Sequence, residues 1–330
     1  MFDFKQNTKY DVIAMGRSTV DIYALDIGNL EDAKNFAKYL GGSPANTAVA
    51  LSKLEMKVGF IGKVSDDGMG RFVKNYLHSC GIDTSHIKTD KEGHKTGITI
   101  GEIKEGGKCD CLMYRENCAD LYLSADEIDP NYVTDTKVLL VSGTSLSHSP
   151  AREAVFKAVR IAKDNGVMVV FDPDFREGTW QSISDARSYL ADMAIKSDMI
   201  ITTKDEMQII YDSLFPNEVY DNKKIADYLL GKGCTLVNIK DGKSGSTVYT
   251  KTDIVKSPSY SVGGVVKTFG AGDSYASGFI SALILGKDLQ FAQAQGAAAA
   301  AITISGHSCS DSSPSLSAVK EFMRTHALSY

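Results

Sequence analysis

Residues 263–286 read GGVVKTFGAGDSYASGFISALILG. A β-leaning run from Tyr260 to Val266 leads into Gly270-Ala271-Gly272-Asp273. An amphipathic helix follows, with Ala276, Phe279, Ile280 and Leu283 at i, i+3, i+4 and i+7. The small residues at 270–272 let backbone N–H groups come close to a ligand. A helix start carries orphan N–H donors and a partial positive charge, which together suit phosphate. Asp273 stands out there, because a carboxylate favours the helix dipole but repels phosphate. Two readings are open. Asp273 is a plain N-terminal cap, or it is a general base that takes a proton from a hydroxyl while the backbone holds a phosphoryl group in transfer.

Outward from this stretch the chain alternates strands and helices. YDVIAM (10–15) reads as a buried strand ending at Gly16, and a helix over 44–54 follows the Gly41-Gly42 turn. Residues 31–40 are polar and read as a surface connection. A strand over 57–61 and a helix over 70–80 come next. Residues 94–123 break the rhythm. HKTGITIGEI and KCDCLMYR are extended runs joined by Lys104–Lys108, with Gly106-Gly107 as a hairpin turn signal. With residues near 17–28 they read as a small β lid that excludes water from a site. From 137 onward, strands at 137–142, 167–171, 198–202 and 234–239 alternate with helices at 150–165, 183–196, 204–213 and 222–232. Strands near 245–250 and 254–262 and helices at 272–285, 288–304 and 315–327 complete the chain. This pattern predicts an α/β fold with a parallel sheet and helices on both faces, in one main domain with an inserted lid.

At 330 residues the chain is long enough for one large α/β domain with a small appendage. Hydrophobic content of 43% and charged content of 23% are ordinary for a globular protein. A net charge of −5 gives no general attraction to nucleic acid but leaves an anionic substrate open. No apolar run reaches the roughly 18–20 residues of a membrane helix. MFDFKQNTKYDV lacks a signal-peptide core, so a cytoplasmic enzyme with no membrane partner is expected. The cysteines at 80, 109, 111, 118, 234 and 309 are too sparse for a disulfide framework, and reduced thiols are expected.

Several polar groups fall at predicted strand ends, and each has a bland reading beside a chemical one. Asp21 follows the first strand, as a turn residue or a ligand contact. Arg115, in Tyr114-Arg115-Glu116-Asn117, is a bidentate carboxylate clamp or a surface ion pair with Glu116 or Asp120. Asp172-Pro173-Asp174-Phe175-Arg176 is a site loop or an Asp-Pro turn with a solvated ion pair. Thr203 and Glu206 have capping-box spacing. Gly242-Lys243-Ser244 looks like the tail of a phosphate-binding P-loop, but the glycine required five residues earlier is Val237, so a P-loop is rejected. GAAAAAITI (296–304) suits either close helix packing or a flat adenine ring.

GAGDSYASGF (270–279) resembles the C-terminal signature of the ribokinase-like (PfkB) sugar kinases, and GGSPANTAVA (41–50) resembles their N-terminal signature. The two lie over 220 residues apart in the expected order. The resemblance implies a ribokinase-like fold: a central, mostly parallel sheet flanked by helices, as one domain over 1–330. A lid from about 17–40 and 94–123 often pairs between subunits in the family, which implies a homodimer. The resemblance also implies ATP and Mg²⁺, with Asp273 as base and Gly270, Ala271 and Gly272 as the anion hole. Asp21, Gly41, Gly42, Asn46, Arg115, Asn117, Asp172 and Arg176 would meet the sugar. Lys240, Gly242, Gly245, Lys267, Ala298 and His307 would lie on the nucleotide side, and Glu206 would act on the metal through water.

YRENCADLYL, the Lys267-x-Phe269 pair and HSCSDSSPS (307–315) resemble the branch of that family that phosphorylates the 6-hydroxyl of 5-dehydro-2-deoxy-D-gluconate in inositol catabolism. A sugar acid and ATP are therefore the expected ligands. Lys267 replaces the family's usual aspartate, which leaves dependence on a monovalent cation open. Kinases of 2-dehydro-3-deoxygluconate, of ribose or of fructose are the rival enzymes. A catalytically silent sugar- or nucleotide-binding regulator is the rival of a different class. The intact Gly-Ala-Gly-Asp argues against it, since a mere binder has no need of Asp273.

Overall fold

The computed structural model describes residues 2–104, 109–263 and 265–329. Its main sheet has nine strands in the order β13-β12-β11-β10-β9-β8-β1-β4-β5. These are β1 (Tyr10–Met15), β4 (Val58–Val64), β5 (Asp83–Thr89), β8 (Thr136–Ser142), β9 (Met168–Asp172), β10 (Met199–Thr203), β11 (Leu236–Lys240), β12 (Ser246–Tyr249) and β13 (Ile254–Ser257). All neighbouring pairs are parallel except β11–β12 and β12–β13.

The inner strands are apolar on both faces because helices cover both. On β1, Ile13 and Met15 point into one core and Val12 and Ala14 into the other. Strand β8 repeats this with Leu139 and Val141 against Val138 and Leu140. The first core is closed by α4 (Ala151–Asp164), α5 (Ile183–Lys196), α6 (Lys204–Leu214) and α7 (Asn222–Gly231). The second is closed by α1 (Ser43–Lys53), α2 (Gly68–Ser79), α8 (Ala271–Ile284) and α9 (Leu289–Thr303). Each buried Ile, Leu, Val or Met of these strands contributes about 1.5–3 kcal/mol. Short α3 (Pro130–Thr134) precedes β8, and α10 (Leu316–Thr325) packs Leu316 and Val319 against Leu54, Ala298 and Ala299.

A second sheet has the order β3-β2-β6-β7, from β2 (Thr19–Ile27), β3 (Phe36–Gly41), β6 (Ile98–Ile103) and β7 (Cys109–Tyr114). It is the expected small β layer, with β2–β3 and β6–β7 antiparallel and β2–β6 parallel. The Gly106-Gly107 turn lies outside the described residues. A two-stranded ribbon joins β14 (Ser259–Tyr260) to β15 (Leu328–Ser329).

Three elements depart from the sequence expectation. Residues 36–41, expected as a surface connection, form β3, and 83–89 form β5. Both are edge strands that carry lysines and polar side chains, so neither shows a clean apolar alternation. Among the described residues of the run from Tyr260 to Val266, strand is confined to Tyr260, the second residue of Ser259–Tyr260. Beyond Gly242–Ser244, a single 3₁₀ turn, the chain enters antiparallel β12 rather than the long helix of a P-loop.

The small residues of 296–304 serve close packing. A Cβ on Gly278 of α8 would sit 2.8 Å from the Gln295 carbonyl oxygen and from the Gly296 Cα on α9. One on Gly296 would sit 2.8 Å from the Tyr275 carbonyl oxygen. Gln295 locks the crossing, donating to the Gly278 carbonyl oxygen (3.0 Å) and to Ser281 Oγ (2.9 Å). Gly278→Ala should therefore destabilise the protein by about 1–3 kcal/mol, because backbone on both helices must move. Urea denaturation checks this. An unchanged midpoint would show that the contact relaxes freely.

Candidate active site

A cavity of about 590 Å³ opens between the small sheet and the carboxyl ends of β1, β9, β10 and β11. That volume lies within the usual range for small-molecule sites. Larger grooves of about 720, 770 and 790 Å³ elsewhere bring no buried charged groups together. The strand order turns at β1, with β4 and β5 on one side and β8 to β11 on the other. Open α/β sheets bind ligands at such a switch point.

Asp273 is at the centre. Gly270 caps α8 in the left-handed region, at φ 80°, and a Cβ there would stand 2.8 Å from that of Cys309. Asp273 is therefore in the first turn of α8, and its side chain caps nothing. Instead its Oδ1 accepts from Ser43 Oγ (2.7 Å) and its Oδ2 from Asn46 Nδ2 (3.0 Å). Burial raises its pKa above the ordinary carboxylate value, the nearby Asp174 adds to this, and the Ser43 and Asn46 bonds offset part of it. Each oxygen keeps a lone pair for a substrate hydroxyl. The N–H groups of 271–273 are at the helix start, where no preceding carbonyl takes them within the helix; that of Ala271 makes a long bond to the Thr268 carbonyl oxygen (3.4 Å).

The glycines of the first signature keep backbone and side chains close. Gly42 caps α1 at φ 97°, and a Cβ there would lie 2.5 Å from the Arg17 carbonyl oxygen. A Cβ on Gly41 would collide with the Asp21 carboxylate. Asp21 lines the cavity and accepts from Tyr23 Oη (2.5 Å). Burial raises its pKa, with Tyr23 and Arg17 offsetting part of the shift.

At the end of β9 the Asp-x-Asp-x-Arg loop is an internal charge cluster rather than a solvated turn. Asp174, at φ 34°, takes Arg17 Nη2 on Oδ2 (3.2 Å) and Arg176 Nη2 on Oδ1 (3.0 Å). Burial pushes its pKa up, but the Arg176 and Arg17 guanidiniums more than reverse this and hold it below the ordinary value. Asp172 has no such partner. Its Oδ1 accepts from the Asp174 N–H (3.1 Å), and burial, with repulsion from Glu206, Asp174 and Asp273, raises its pKa well above normal despite Lys240. Arg17 was not singled out from the sequence, and Asp174 only as a member of the candidate site loop. The signals were Arg17's place one residue past the β1 glycine and the second aspartate of the loop.

Glu206 lines the cavity and also closes a capping box: Oε2 accepts from the Thr203 N–H (2.8 Å) and Thr203 Oγ1 (2.9 Å), and Oε1 from the Phe175 N–H (3.3 Å). Lys240 ends β11 on the cavity wall, 3.5 Å from where a Gly272 Cβ would be. Gly242 and Gly245 flank the next turn at φ 50° and 88°. No group of three or more His, Cys, Asp or Glu side chains suited to a metal occurs among the described residues.

Other expected residues are away from the cavity wall. Lys267 is fully buried, with Nζ donating to the Phe269 carbonyl oxygen (2.8 Å) and lying 3.3 Å from Cys309 Sγ. Ala298 is packed in the α9–α10 core, and His307 is exposed. Arg115 is buried in an ion pair with Asp120 and donates to the Thr144 carbonyl oxygen (3.3 Å). Asn117 accepts from Tyr122 Oη (3.2 Å) beside a separate pocket of about 200 Å³. From the small sheet, Thr99, Cys111 and Met113 reach the cavity instead.

The profile of the pfkB family of carbohydrate kinases matches residues 9–316. The chain is 45% identical over 324 residues to the 5-dehydro-2-deoxygluconokinase of Geobacillus kaustophilus, covering 98% of this chain and 96% of that one. It is 43% identical over 321 residues to the 5-dehydro-2-deoxygluconokinase of Halalkalibacterium halodurans, with coverage of 97% and 96%. The solved structure of a putative Ribokinase II from E. coli in complex with ATP and Mg²⁺ matches with a TM-score of 0.85 at 26% identity, over 96% of this chain and all of that one.

The buried carboxylates make this cavity costly at neutral pH. A group whose folded pKa is raised loses stability as pH climbs past its unfolded value, near about 4 for aspartate. Asp172→Asn keeps the Oδ1 acceptor and removes that charge. Its melting temperature should exceed that of the parent at pH 8, and the difference should shrink as pH falls toward 4. Calorimetry across that range checks it. A variant less stable at pH 8 would overturn the assignment of the raised pKa.

Proposed function

The chain belongs to the pfkB family of carbohydrate kinases, and from that premise we propose that it transfers the γ-phosphoryl group of ATP to the 6-hydroxyl of 5-dehydro-2-deoxy-D-gluconate, a step of inositol catabolism. The family makes it a phosphotransferase with an alcohol acceptor. The observation that carries the chemistry is the Asp273 carboxylate, oriented by Ser43 and Asn46 at the start of a helix that faces the cavity. The substrate is carried by the full-length likeness to relatives of that name.

Asp273 takes the proton of the attacking hydroxyl, and its raised pKa makes it a better base than an exposed aspartate. The N–H groups of Ala271, Gly272 and Asp273 face the charge that gathers on the transferring phosphoryl oxygens. Lys240 supplies positive charge on the nucleotide side of the cavity. Magnesium is held largely by phosphates and water with one or two carboxylates. Glu206 would reach it through water on Oε1, which accepts a single N–H, and the ion would neutralise phosphate charge. A turnover assay with potassium omitted reads any need for a monovalent cation.

The small sheet serves as a lid. Its face away from the cavity is largely apolar: Phe36, Leu112 and Tyr114 are 42%, 52% and 59% exposed, with Ile22, Ile98 and Ile100 between them by register and exposed Lys38 beside Ile22. A second copy of the chain covers this face in a homodimer. A cytoplasmic setting fits an ATP-dependent kinase, and among the described residues no helix is long and apolar enough to cross a membrane.

Turnover of 5-dehydro-2-deoxygluconate, 2-dehydro-3-deoxygluconate, ribose and fructose with ATP and Mg²⁺ should favour the first. A preference for a neutral sugar would discard the substrate and keep the family. Asp273→Asn should lower kcat by about 100-fold or more with ATP affinity largely kept. Near-normal turnover would remove Asp273 as base. Light scattering should give a dimer, and Leu112→Lys with Tyr114→Lys a monomer. A monomeric parent protein would refute the lid interface.

A further inference from the structure

The cavity holds several carboxylates, and an anionic sugar must meet a positive group among them. Three arginines lie near Asp174, and they differ in how their charge is used. Arg115 forms a one-to-one pair with buried Asp120 and gives a second donor to the Thr144 carbonyl oxygen. That pair is neutral, and Arg115 is not on the cavity wall. Arg17 and Arg176, by contrast, share one carboxylate, that of Asp174. Two guanidiniums on one carboxylate leave this triad with a net charge of +1 among the other carboxylates of the wall.

Within this triad Arg17 has the unmet need. It is 5% exposed, it lines the cavity, and its Nε is a buried donor with no partner. A buried charged donor left unpaired costs more than a neutral one. Arg115 Nε is also buried without a partner, but behind the cavity wall. The Arg176 side chain is 51% exposed, and it donates to the Phe175 carbonyl oxygen in its own loop besides pairing with Asp174. The Arg17 guanidinium is also fixed from behind. Asp174 Oδ2 receives Ser142 Oγ (3.4 Å) and Thr144 Oγ1 (3.3 Å), and the Arg17 backbone abuts Gly42 at the start of α1. The same α1 supplies the Ser43 and Asn46 that hold Asp273.

We propose that Arg17 is the specificity-determining residue for the acid: its Nε edge receives the substrate carboxylate while Asp273 meets the hydroxyl at the other end. This rests on the sugar-acid reading of the substrate. The charge-assisted bond adds more affinity for an acid than for the analogue whose carboxylate is reduced to a hydroxymethyl group, which accepts only as a neutral hydroxyl.

The test measures kcat/KM for 5-dehydro-2-deoxygluconate and for that neutral analogue in the parent enzyme and in Arg17→Met, Arg17→Lys and Arg115→Met. The acid-to-neutral preference should fall by roughly 10- to 100-fold in Arg17→Met, mainly through KM for the acid. Arg17→Lys keeps a charge for Asp174 but has no Nε fork, so its preference should fall as well, which covers the case in which the Met variant does not fold. A purely structural role would lower both substrates together and leave the ratio unchanged, overturning the proposal. So would a ratio that collapses in Arg115→Met alone. A parent enzyme without preference for the acid would refute the sugar-acid reading itself. A parent with preference and Arg17 variants that keep it would refute only the role of Arg17.

Discussion

The carboxylate of Asp273, held at 2.7 Å by Ser43 and at 3.0 Å by Asn46, ties the two halves of this molecule together. Its partners come from a helix start some 230 residues earlier in the chain. Helix α1 reaches that point because Gly42 lets the backbone pass against Arg17, and α8 because Gly270 turns into the left-handed region. Helix packing then sets the register between them, with Ser277 of α8 donating to the Thr47 carbonyl oxygen of α1 (3.1 Å). The Asp273 carboxylate is thus positioned by two helix starts on the same face of the sheet, and neither is a flexible loop.

Charge shapes the rest of the cavity. Asp21, Asp172, Asp174 and Asp273 are gathered where water is largely excluded, and only Asp174 has its charge fully answered, by Arg17 and Arg176. The others have raised pKa values because burial penalises the ionised form. Sites that do acid–base chemistry concentrate such perturbed groups, at a cost in stability that the surrounding cores must offset. Here two apolar layers flank the sheet and keep the strand ends rigid.

Much of this was legible in the sequence, and the rest was hidden for physical reasons. The inner strands and the helices over them show strong apolar periodicity, so β1, β8 to β11 and α4 to α9 fell close to their expected spans. Edge strands β3 and β5 have one neighbour and mixed side chains, so periodicity did not reveal them. The Gly-Ala-Gly-Asp stretch told of a helix start with a carboxylate. It did not tell that Ser43 and Asn46 hold that carboxylate, because the contact exists only after folding. The same holds for Arg17 and Asp174, which are 157 residues apart and meet because β1 and β9 flank β8. The pairing of Arg115 with Asp120 was one of two readings open in the sequence, but its burial was not, because only the fold encloses that local turn.

The strand order has a consequence for how the chain assembles. Most neighbours in the main sheet are also successive strands of that sheet in the sequence, so each new strand can dock on the one just made. The α1–α8 junction is the exception, since its two sides are separated by most of the polypeptide. During synthesis the first signature therefore waits, folded against β1 but without its carboxylate partner, until the last third of the chain emerges. A nascent chain can hold much of its sheet while it lacks the means to transfer a phosphoryl group, and catalytic competence arrives as a late, single event.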